Sequence, residues 1–431
     1  MKFFNLHDLS DDEISTLCRR PKMDFVSLFG QIQPILNDIE HEGDDALKRY
    51  TKKFDHIDLE SNSINPGELN PVLNDSEKQA IDLAMSNVFR FHREQSTFDS
   101  ETETMPGVIC SRVARPVERV GLYIPGGTAP LLSTAIMLSV PAMIAGCNTI
   151  VLATPPDSEG NIPDSIAYLA QKTGVKTIVK AGGAQAIAAM AFGTQSIPKV
   201  DKIFGPGNQY VTAAKMLLQN SDAMVSIDLP AGPSEVLIIT DDSADPEFVA
   251  ADLLSQAEHG PDSQVVLVST SKNNIDQTKI EIKNQLLVLP RKKIAEKALN
   301  NSLLILAESV EKAVEFSNRY APEHLIINCE NAESFTDHIQ NAGSVFLGAL
   351  TPESAGDYAT GTNHTLPTYG YARMYSGVSL SSFQKFITMQ QLTEEGLRNI
   401  GPAVEILAGM EGLDAHKRAV TVRLKKLKSM N

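Results

Sequence analysis

The chain has 431 residues, more than one hydrophobic core accommodates, so two large domains with smaller appendages are expected. Hydrophobic residues make up 42% of the sequence and charged residues 21%, which is the composition of an ordinary soluble globular protein. The formal net charge of −15 argues against non-specific nucleic-acid binding, because that activity requires a basic surface.

The cysteines and the first residues bear on the cellular compartment. The cysteines are far apart and form no CxxC motif, which indicates a reducing environment. They are Cys18, Cys110, Cys147 and Cys329. The opening segment "MKFFNLHDLSDDEIS" turns acidic at once and lacks the apolar core of a signal peptide. We therefore expect a cytoplasmic protein.

The first part of the chain predicts helices. "SDDEISTLCRR" begins with Ser10 as an N-cap and an acidic first turn. "FVSLFGQIQPILNDIEHEGDDALKRYTKKFD" has helical periodicity that is interrupted near Pro34 and Gly43. "NDSEKQAIDLAMSNVFRFHREQ" predicts a longer helix capped by Asp75 or Ser76.

An uncharged segment at residues 120–156 has the length of a membrane span. A glycine pair and further breakers at Pro130, Pro141 and Gly146 divide it into a strand, a loop, a helix and a second strand. Continuous apolar strands are typical of parallel sheets that are covered on both faces. The segment is therefore interpreted as a buried β-α-β unit, and we expect no association with membranes.

From residue 119 onward, short apolar runs alternate with helical stretches, as in doubly wound, mostly parallel sheets. One series of strand candidates contains "RVGLYI", "TIVLAT", "TIVKA", "KIF" and "MVSIDL". A second series contains "EVLIIT", "QVVLVS", "SLLILA", "HLIIN" and "GSVFLG". The sequence thus predicts an α/β protein with two Rossmann-like domains and small helical segments at both termini. Spacing alone leaves open whether the two series are remote copies.

The predicted division of the chain has four parts. Residues 1–20 form a helical arm, and residues 21–118 together with 235–377 form the first α/β domain. Residues 119–234 form the second α/β domain. Residues 378–431 form a helical segment that ends in the basic stretch "AHKRAVTVRLKKLK".

Three predicted strands of the first series end in glycine-rich turns. These are "IPGGTAP" (124–130), "AGGAQAI" (181–187) and "FGPGNQY" (204–210). Parallel sheets bind ligands at the carboxyl ends of their strands, and glycine lets backbone N–H groups approach a phosphate. None of the three is GxGxxG, and each alone is also explained by a tight turn. Together they leave a nucleotide site and simple turns as open alternatives.

Four polar residues in three segments are candidate metal ligands. Gln256 and His259 lie three residues apart, on one face of the predicted helix "SADPEFVAADLLSQAEHGPD". Imidazole suits zinc, whereas a glutamine oxygen is an unusual ligand. Asp357 lies in "PESAGDYATGTNHTLPT", where an Asx-turn is the alternative. His416, on a predicted helix, is equally explained by packing against the core, and spacing cannot join the four.

The stretch "NRYAPEHLII" (318–327) places Glu323 and His324 side by side after Pro322. Neighbouring residues of a regular strand point to opposite faces, so a shared site requires an irregular backbone. Pro322 supplies a reason, because proline donates no backbone hydrogen bond and bends the chain. The pair is interpreted either as surface side chains at the start of a strand or as an acid–base dyad.

Eight longer motifs occur together and in order: "VGLYIPGGTAPLLSTAIM", "AGGAQAIAAMAFGT", "VDKIFGPGNQYV", "DLPAGPSEVLII", "LLSQAEHGPDSQ", "RYAPEHL", "AGDYATGTNHTLPT" and "GLDAHKRAVTVRL". Over roughly residues 20–425 the chain resembles the histidinol dehydrogenase family. The resemblance implies oxidation of L-histidinol to L-histidine through an aldehyde, in histidine biosynthesis. It also implies two NAD used in succession, one zinc per active site and a homodimer.

The resemblance also implies a role for individual residues. The zinc ligands match Gln256, His259, Asp357 and His416, and His416 is expected from the partner subunit because the family exchanges its carboxyl-terminal tail across the dimer. The NAD-contacting positions match Tyr123, Gln185 and Asn208. The substrate contacts match Ser234, Gln256, His259, His324, Asp357, Glu411 and His416, with His364 as a further candidate. Zinc and the dyad thus fall in the first predicted α/β domain and NAD in the second.

The chemistry of the implied reaction assigns the dyad two steps. A neutral histidine accepts protons near working pH, so His324 is predicted to take the proton of the alcohol. Water must add to the aldehyde before a second hydride can leave, and Glu323 is predicted to activate that water. Cys147 is a rival thiol nucleophile, but it lies between apolar segments without a neighbouring base and is interpreted as a core thiol.

Three other functions remain as alternatives. One is a related NAD- and zinc-dependent dehydrogenase that acts on another small alcohol, such as a sulfonated diol. The second is a zinc hydrolase in which the Glu–His pair activates water without a nucleotide. The third is a non-catalytic NAD-binding regulator, which the filled catalytic positions disfavour.

Overall fold

The computed structural model describes residues 1–20, 25–95, 100–126, 131–229 and 232–429. The end of the predicted "IPGGTAP" loop, including Pro130, lies outside these ranges. The helices are α1 Asp11–Leu17, α2 Phe25–Glu42, α3 Asp44–Phe54, α4 Asp75–Arg93, α5 Leu132–Ala145, α6 Asp164–Thr173, α7 Gly183–Phe192, α8 Gln209–Gln219, α9 Pro246–Ala257, α10 Lys272–Leu286, α11 Lys292–Asn300, α12 Val310–Tyr320, α13 Glu353–Tyr358, α14 Glu394–Met410 and α15 Asp414–Ser429.

The strands include every apolar run that the sequence predicted, together with five more. In chain order they are β1 Lys2–Asn5, β2 Ser63–Ile64, β3 Ser100–Met105, β4 Val108–Pro116, β5 Arg119–Tyr123, β6 Thr149–Thr154, β7 Thr177–Lys180, β8 Lys202–Phe204, β9 Ser226–Ile227, β10 Glu235–Thr240, β11 Gln264–Ser269, β12 Leu303–Leu306, β13 His324–Asn328, β14 Ser344–Leu347 and β15 Gln384–Leu392. The unpredicted strands are β1–β4 and β15.

Two six-stranded sheets form the first of two units, Met1–Gln95 with Val117–Phe383. Sheet I has the order β2-β7-β6-β5-β8-β9, and sheet II has the order β1-β12-β11-β10-β13-β14. Neighbouring strands run parallel except for β2, which pairs antiparallel with β7. Every residue of β10 and β13 is buried, as expected for strands covered on both faces. The predicted α/β fold class is confirmed.

Both sheets are wound in the same way. In sheet I the chain moves from β5 outward to β7 and then returns to β8 on the other side of β5. In sheet II it moves from β10 outward to β12 and returns to β13 on the other side of β10. The shared order agrees with the two series being remote copies, which spacing had left open. Such a reversal opens a crevice beside the central strand.

The helices between residues 25 and 93 cover sheet I, although the predicted division grouped them with residues 235–377. α2 packs on α7 and α8 and buries Ile32 and Ile39 in one core with Val151. α4 packs on α5 and buries Val88 with Met137 on the other face. The predicted division differs here because an apolar helix face does not reveal which sheet it covers.

The predicted amino-terminal arm is only partly helical. Residues 2–5 form β1, which pairs with β12 at the edge of sheet II. α1 follows, and its predicted cap is present as a capping box in which Ser10 and Glu13 bond each other's backbone. The cap of α4 is Asn74, one residue before the predicted position.

The second unit comprises Ser96–Pro116 and Gln384–Asn431. Its described residues form an antiparallel sheet of order β15-β4-β3 and the packed helix pair α14 and α15. β15 lies in a segment that was predicted to be helical. Its side chains are mostly exposed, so alternation of buried and exposed residues gave no strand signal there.

The uncharged segment at 120–156 contains β5, α5 and β6, as predicted. Among the described residues, no helix has both the length and the apolar character needed to cross a membrane.

Candidate active site

The backbone before β13 is irregular, as a shared Glu–His site requires. α12 ends at Ala321, which has a left-handed conformation with φ 53° and ψ 68°. Pro322 follows, and the strand begins at His324. Glu323 therefore precedes the regular strand, and its Oε2 lies 3.6 Å from Nδ1 of His324. The sequence pattern predicted that Pro322 causes the irregular backbone, whereas the residue with the left-handed conformation is Ala321.

The backbone N–H and carbonyl of Glu235 hold both side chains of this pair. The strand register pairs Val236 with His324, so Glu235 lies beside Glu323. The Glu235 N–H donates to Oε2 of Glu323 at 2.8 Å, and its carbonyl accepts from Nδ1 of His324 at 3.1 Å. A carbonyl oxygen only accepts, so the bond to Glu235 requires a proton on Nδ1 of His324. In the neutral imidazole the lone pair is then on Nε2.

The pair lies at the amino ends of β10 and β13, the edge opposite the one where doubly wound sheets usually bind ligands. α9 runs against the strand direction, so its carboxyl end reaches this same edge. Its N-cap is Asp245 and its first residue is Pro246. Gln256 is buried near that end, and its Nε2 donates to the Glu235 carbonyl at 3.1 Å. The amide is thereby fixed with Oε1 pointing away from this carbonyl.

Two carboxylates of α13 complete the cluster around the imidazole. Oε1 of Glu353 lies 3.9 Å from Nδ1 of His324, and Oδ1 of Asp357 lies 3.4 Å from Nε2. The ligand atoms of His324, Glu353 and Asp357 all lie within 4.8 Å of one another. Glu353 was not among the site residues that the sequence predicted. Its spacing of four residues from Asp357 on a short helix was the signal that would have found it.

His259 lies just past the end of α9, whereas the sequence pattern placed it on the helix itself. Loss of hydration lowers the pKa of His259, and the charge of Asp357 opposes that shift. The two side chains therefore lie within electrostatic reach of each other. The His259 N–H donates to the Gln256 carbonyl at 3.3 Å, so Gln256, His259 and Asp357 lie at one edge of sheet II.

Buried polar atoms around this edge lack a hydrogen-bond partner among the described residues. They are Gln256 Oε1, His324 Nε2, Glu353 Oε2, Asp357 Oδ1 and His364 Nε2. Buried polar atoms are normally paired, so this convergence indicates a bound group. Oxygen and imidazole nitrogen donors are ligands for zinc, and a cation would also offset the buried carboxylates. The residues present therefore fit a divalent metal.

The buried groups of this cluster have shifted pKa values. Burial lowers the pKa of His324, but the charges of Glu353 and Glu323 outweigh that effect and raise it above its ordinary value. Burial raises the pKa of Glu323 to about 8, which places its proton exchange near neutral pH. Burial lowers the pKa of His364 to about 4, so that imidazole is neutral. A group that exchanges its proton near working pH is suited to general acid–base catalysis.

Ser234 and His364 are two further residues that were predicted to contact the substrate. Ser234 immediately precedes β10, and its carbonyl accepts from the N–H of Gln264 at 3.1 Å. His364 follows Asn363, whose Nδ2 donates to the Met137 carbonyl on α5 at 2.6 Å. This bond joins the segment that carries His364 to a helix covering sheet I.

The predicted nucleotide residues follow three strands of sheet I. Tyr123 ends β5, and its hydroxyl accepts from the N–H of Gly183 at 3.0 Å. Gln185, in the first turn of α7, is buried, and Asn208 caps α8 with its side chain. A Cβ at Gly205 would lie 2.1 Å from the Tyr123 carbonyl oxygen, so this loop requires glycine. The three predicted residues thus lie at the carboxyl edge of sheet I.

Two predicted site residues lie in the second unit. Glu411 is the C-cap of α14, and His416 lies on α15. Both are exposed.

Cys147 has the surroundings of a core thiol. Its side chain is buried, its Sγ lies 3.9 Å from the Phe383 carbonyl, and burial raises the pKa of the thiol to about 12. A thiol with so high a pKa is a poor nucleophile.

Cys147→Ala is therefore expected to leave the rates of both oxidation steps within about twofold, since neither needs a thiolate. Steady-state rates of NADH formation from alcohol and from aldehyde check this, and selective loss of aldehyde oxidation would restore the thiol mechanism.

Comparison with known proteins identifies the family of the chain. The family model for histidinol dehydrogenase matches residues 18–424. The chain is 57% identical over 434 residues to chloroplastic histidinol dehydrogenase of Arabidopsis thaliana, covering 100% of this chain and 92% of the relative. It is 54% identical over 422 residues to histidinol dehydrogenase of Bacteroides thetaiotaomicron, covering 97% and 98%. A crystal structure of histidinol dehydrogenase from Elizabethkingia anophelis superposes with a TM-score of 0.94 at 54% identity, over 99% of both chains. Because the matching model and relatives span nearly the whole sequence, the chain belongs to the histidinol dehydrogenase family.

Proposed function

We propose that the chain oxidises L-histidinol to L-histidine through L-histidinal, with two NAD and one zinc per active site. The observation that carries this proposal is the Glu323–His324 pair beside converging buried oxygen and nitrogen atoms that lack partners. Membership of the family supports the substrate.

Gln256, His259 and Asp357 would hold the zinc, together with His416 from a second copy of the chain. The bond from Gln256 Nε2 to the Glu235 carbonyl leaves Oε1 available as a ligand, which supports this choice. When bound, zinc would ligate the imidazole and amine of the substrate and so orient its carbinol carbon. Ser234, Glu411 and His364 are proposed to contact the substrate, with the Glu411 carboxylate pairing with its ammonium group.

In the first oxidation, His324 Nε2 accepts the hydroxyl proton of the alcohol. The hydride leaves the carbinol carbon for NAD, which is the electron acceptor of both steps. Because Nδ1–H donates to the Glu235 carbonyl, the imidazole keeps its orientation while its charge changes. Tyr123, Gln185 and Asn208 are proposed to bind the nucleotide at the carboxyl edge of sheet I.

In the second oxidation, Glu323 takes a proton from water as the water oxygen adds to the aldehyde carbon. The resulting hydrate again has a hydrogen on carbon and a hydroxyl proton. His324 accepts that hydroxyl proton as the hydride leaves for a second NAD, and the carbon becomes a carboxylate. Two neighbouring titratable groups thereby serve two successive steps at one carbon.

The stoichiometry of the reaction tests this proposal. With metal-replete protein and limiting L-histidinol, we expect two NADH formed for each histidinol consumed, because the alcohol loses two hydrides in turn. Absorbance of NADH together with chromatographic quantitation of histidine checks the ratio. A ratio of one would indicate an enzyme that stops at the aldehyde. Turnover of a sulfonated diol in place of histidinol would indicate the paralogous activity.

A further inference from the structure

Arg20 is a buried cation next to the residues that hold the dyad. Its side chain is 4% exposed, and that of its partner Glu235 is 1% exposed. The pair is bidentate, with Nε bonding Oε1 at 2.9 Å and Nη2 bonding Oε2 at 2.8 Å. The guanidinium carbon also lies 3.5 Å from the centre of the Tyr320 ring. Such a planar fork, stacked on an aromatic ring, fixes both direction and distance.

The same guanidinium bonds the backbone that leads into the dyad. Nη1 donates to the Tyr320 carbonyl at 2.6 Å, and Nη2 donates to the Ala321 carbonyl at 3.4 Å. These carbonyls belong to the end of α12 and to its left-handed cap. A non-glycine residue is strained in that conformation and requires support from its surroundings. Arg20 supplies hydrogen bonds there, two residues before Glu323.

Glu235 links Arg20 to both catalytic side chains. Its carboxylate accepts the two bonds from Arg20 and a third from the N–H of Tyr369 at 3.2 Å. Its own N–H and carbonyl bond Glu323 and His324. One guanidinium therefore connects the strand that holds the dyad with the turn that presents it.

Stability alone does not account for this ion pair. Removing two charges from water is costly, and apolar residues of similar size often replace a buried pair without loss of stability. The directional contacts of Arg20 instead converge on the two segments that set the position of the dyad.

We infer that Arg20 is a positioning residue for the oxidation reactions, which orients Glu323 and His324 through Glu235 and through the end of α12. The inference rests on the proposed function but concerns a residue that touches neither substrate nor cofactor. Its physical basis is that a displacement of about 1 Å at a catalytic group lowers turnover by about 10²-fold.

The first experiment measures kinetics of Arg20→Met in the zinc-loaded full chain. We expect kcat to fall by about 10²-fold with histidinol and with histidinal as substrates. KM for both substrates and bound zinc per chain should stay within about threefold, since Arg20 bonds none of the proposed zinc ligands or substrate contacts directly. Arg20→Lys should recover only part of kcat, because an ammonium group cannot reproduce the fork.

Two comparisons separate positioning from folding. Arg20→Met leaves Glu235 as an unpaired buried charge, so the double variant with Glu235→Gln should regain thermal stability while kcat stays low. Arg319→Met is the matched control, because Arg319 also ties the amino-terminal segment to α12, through Asp11 at 2.8 Å, without bonding Glu235. Its kcat should equal that of the original protein.

Recovery of kcat together with stability in the double variant would overturn the inference, as would an unchanged kcat in Arg20→Met. Failure of the proposed function is distinguishable, since the unsubstituted protein would then form no NADH from histidinol. If Arg20→Met does not fold, the Arg20→Lys and double variants carry the same comparison.

Discussion

His324→Asn is expected to lower the rate of NADH formation from histidinol by ~10²–10⁴-fold, which is the usual contribution of a general base. The Nδ2 of asparagine can take the place of Nδ1 as the donor to the Glu235 carbonyl. Asparagine has no atom at the position of Nε2, so the proton acceptor is lost. The hydrogen bond that shapes the site is therefore kept while the proton acceptor is removed. Stopped-flow absorbance of NADH measures the loss.

Zinc content distinguishes the base from a ligand. Because the atoms of His324, Glu353 and Asp357 lie close enough together to bind an ion, His324 has to be tested as a ligand. Asp357→Asn should lower bound zinc, and His324→Asn should retain it. Loss of zinc from both variants would make His324 a ligand and remove its role as the proton acceptor.

Glu323→Gln is expected to slow oxidation of histidinal by ~10²-fold or more, while formation of histidinal from histidinol slows much less. The glutamine oxygen still accepts from the Glu235 N–H, so the side chain keeps its position but cannot take a proton from water. Single-turnover measurements starting from histidinol and from histidinal resolve the two steps. Equal slowing of both steps would refute a specific role in activating water.

Glu353→Gln is the matched control for this selectivity. Glu353 is another buried carboxylate close to the same imidazole, but no bond to the Glu235 peptide holds it. It should not reproduce the selective loss of aldehyde oxidation. If it does, the loss reflects the total charge of the pocket rather than water activation by Glu323.

Apolar runs and capping residues along the chain were sufficient to predict the regular strands and helices. β10 and β13 are buried on both faces, so their apolar runs identified them without any partner. The start of α9 is set by its cap Asp245 and by Pro246 in the first turn, since capping is decided by residues close in sequence. Gln256 was therefore correctly placed near the end of a helix.

The same patterns failed where the decisive contact is distant in sequence. The helices at residues 25–93 pack on sheet I rather than with residues 235–377, because an apolar face specifies burial but no partner. Glu235 looked like the first residue of a strand, yet its peptide contacts Glu323 at a separation of 88 residues. No sequence pattern indicated a role for Arg20, because the carboxylate that it bonds, Glu235, is 215 residues away in the chain.

By itself the sequence determined the α/β class, the strands of both series and, through long motifs, the family. These are encoded in local hydrophobicity, capping and the order of motifs, which need no knowledge of distant neighbours. Only the tertiary structure decided that Glu323 and His324 both bond the backbone of Glu235, and that Glu353 lies beside His324. Parallel strands and the helices that cross between them bring together segments far apart in sequence, and hydrogen bonds and charge at such meeting points leave no periodic signal along the chain.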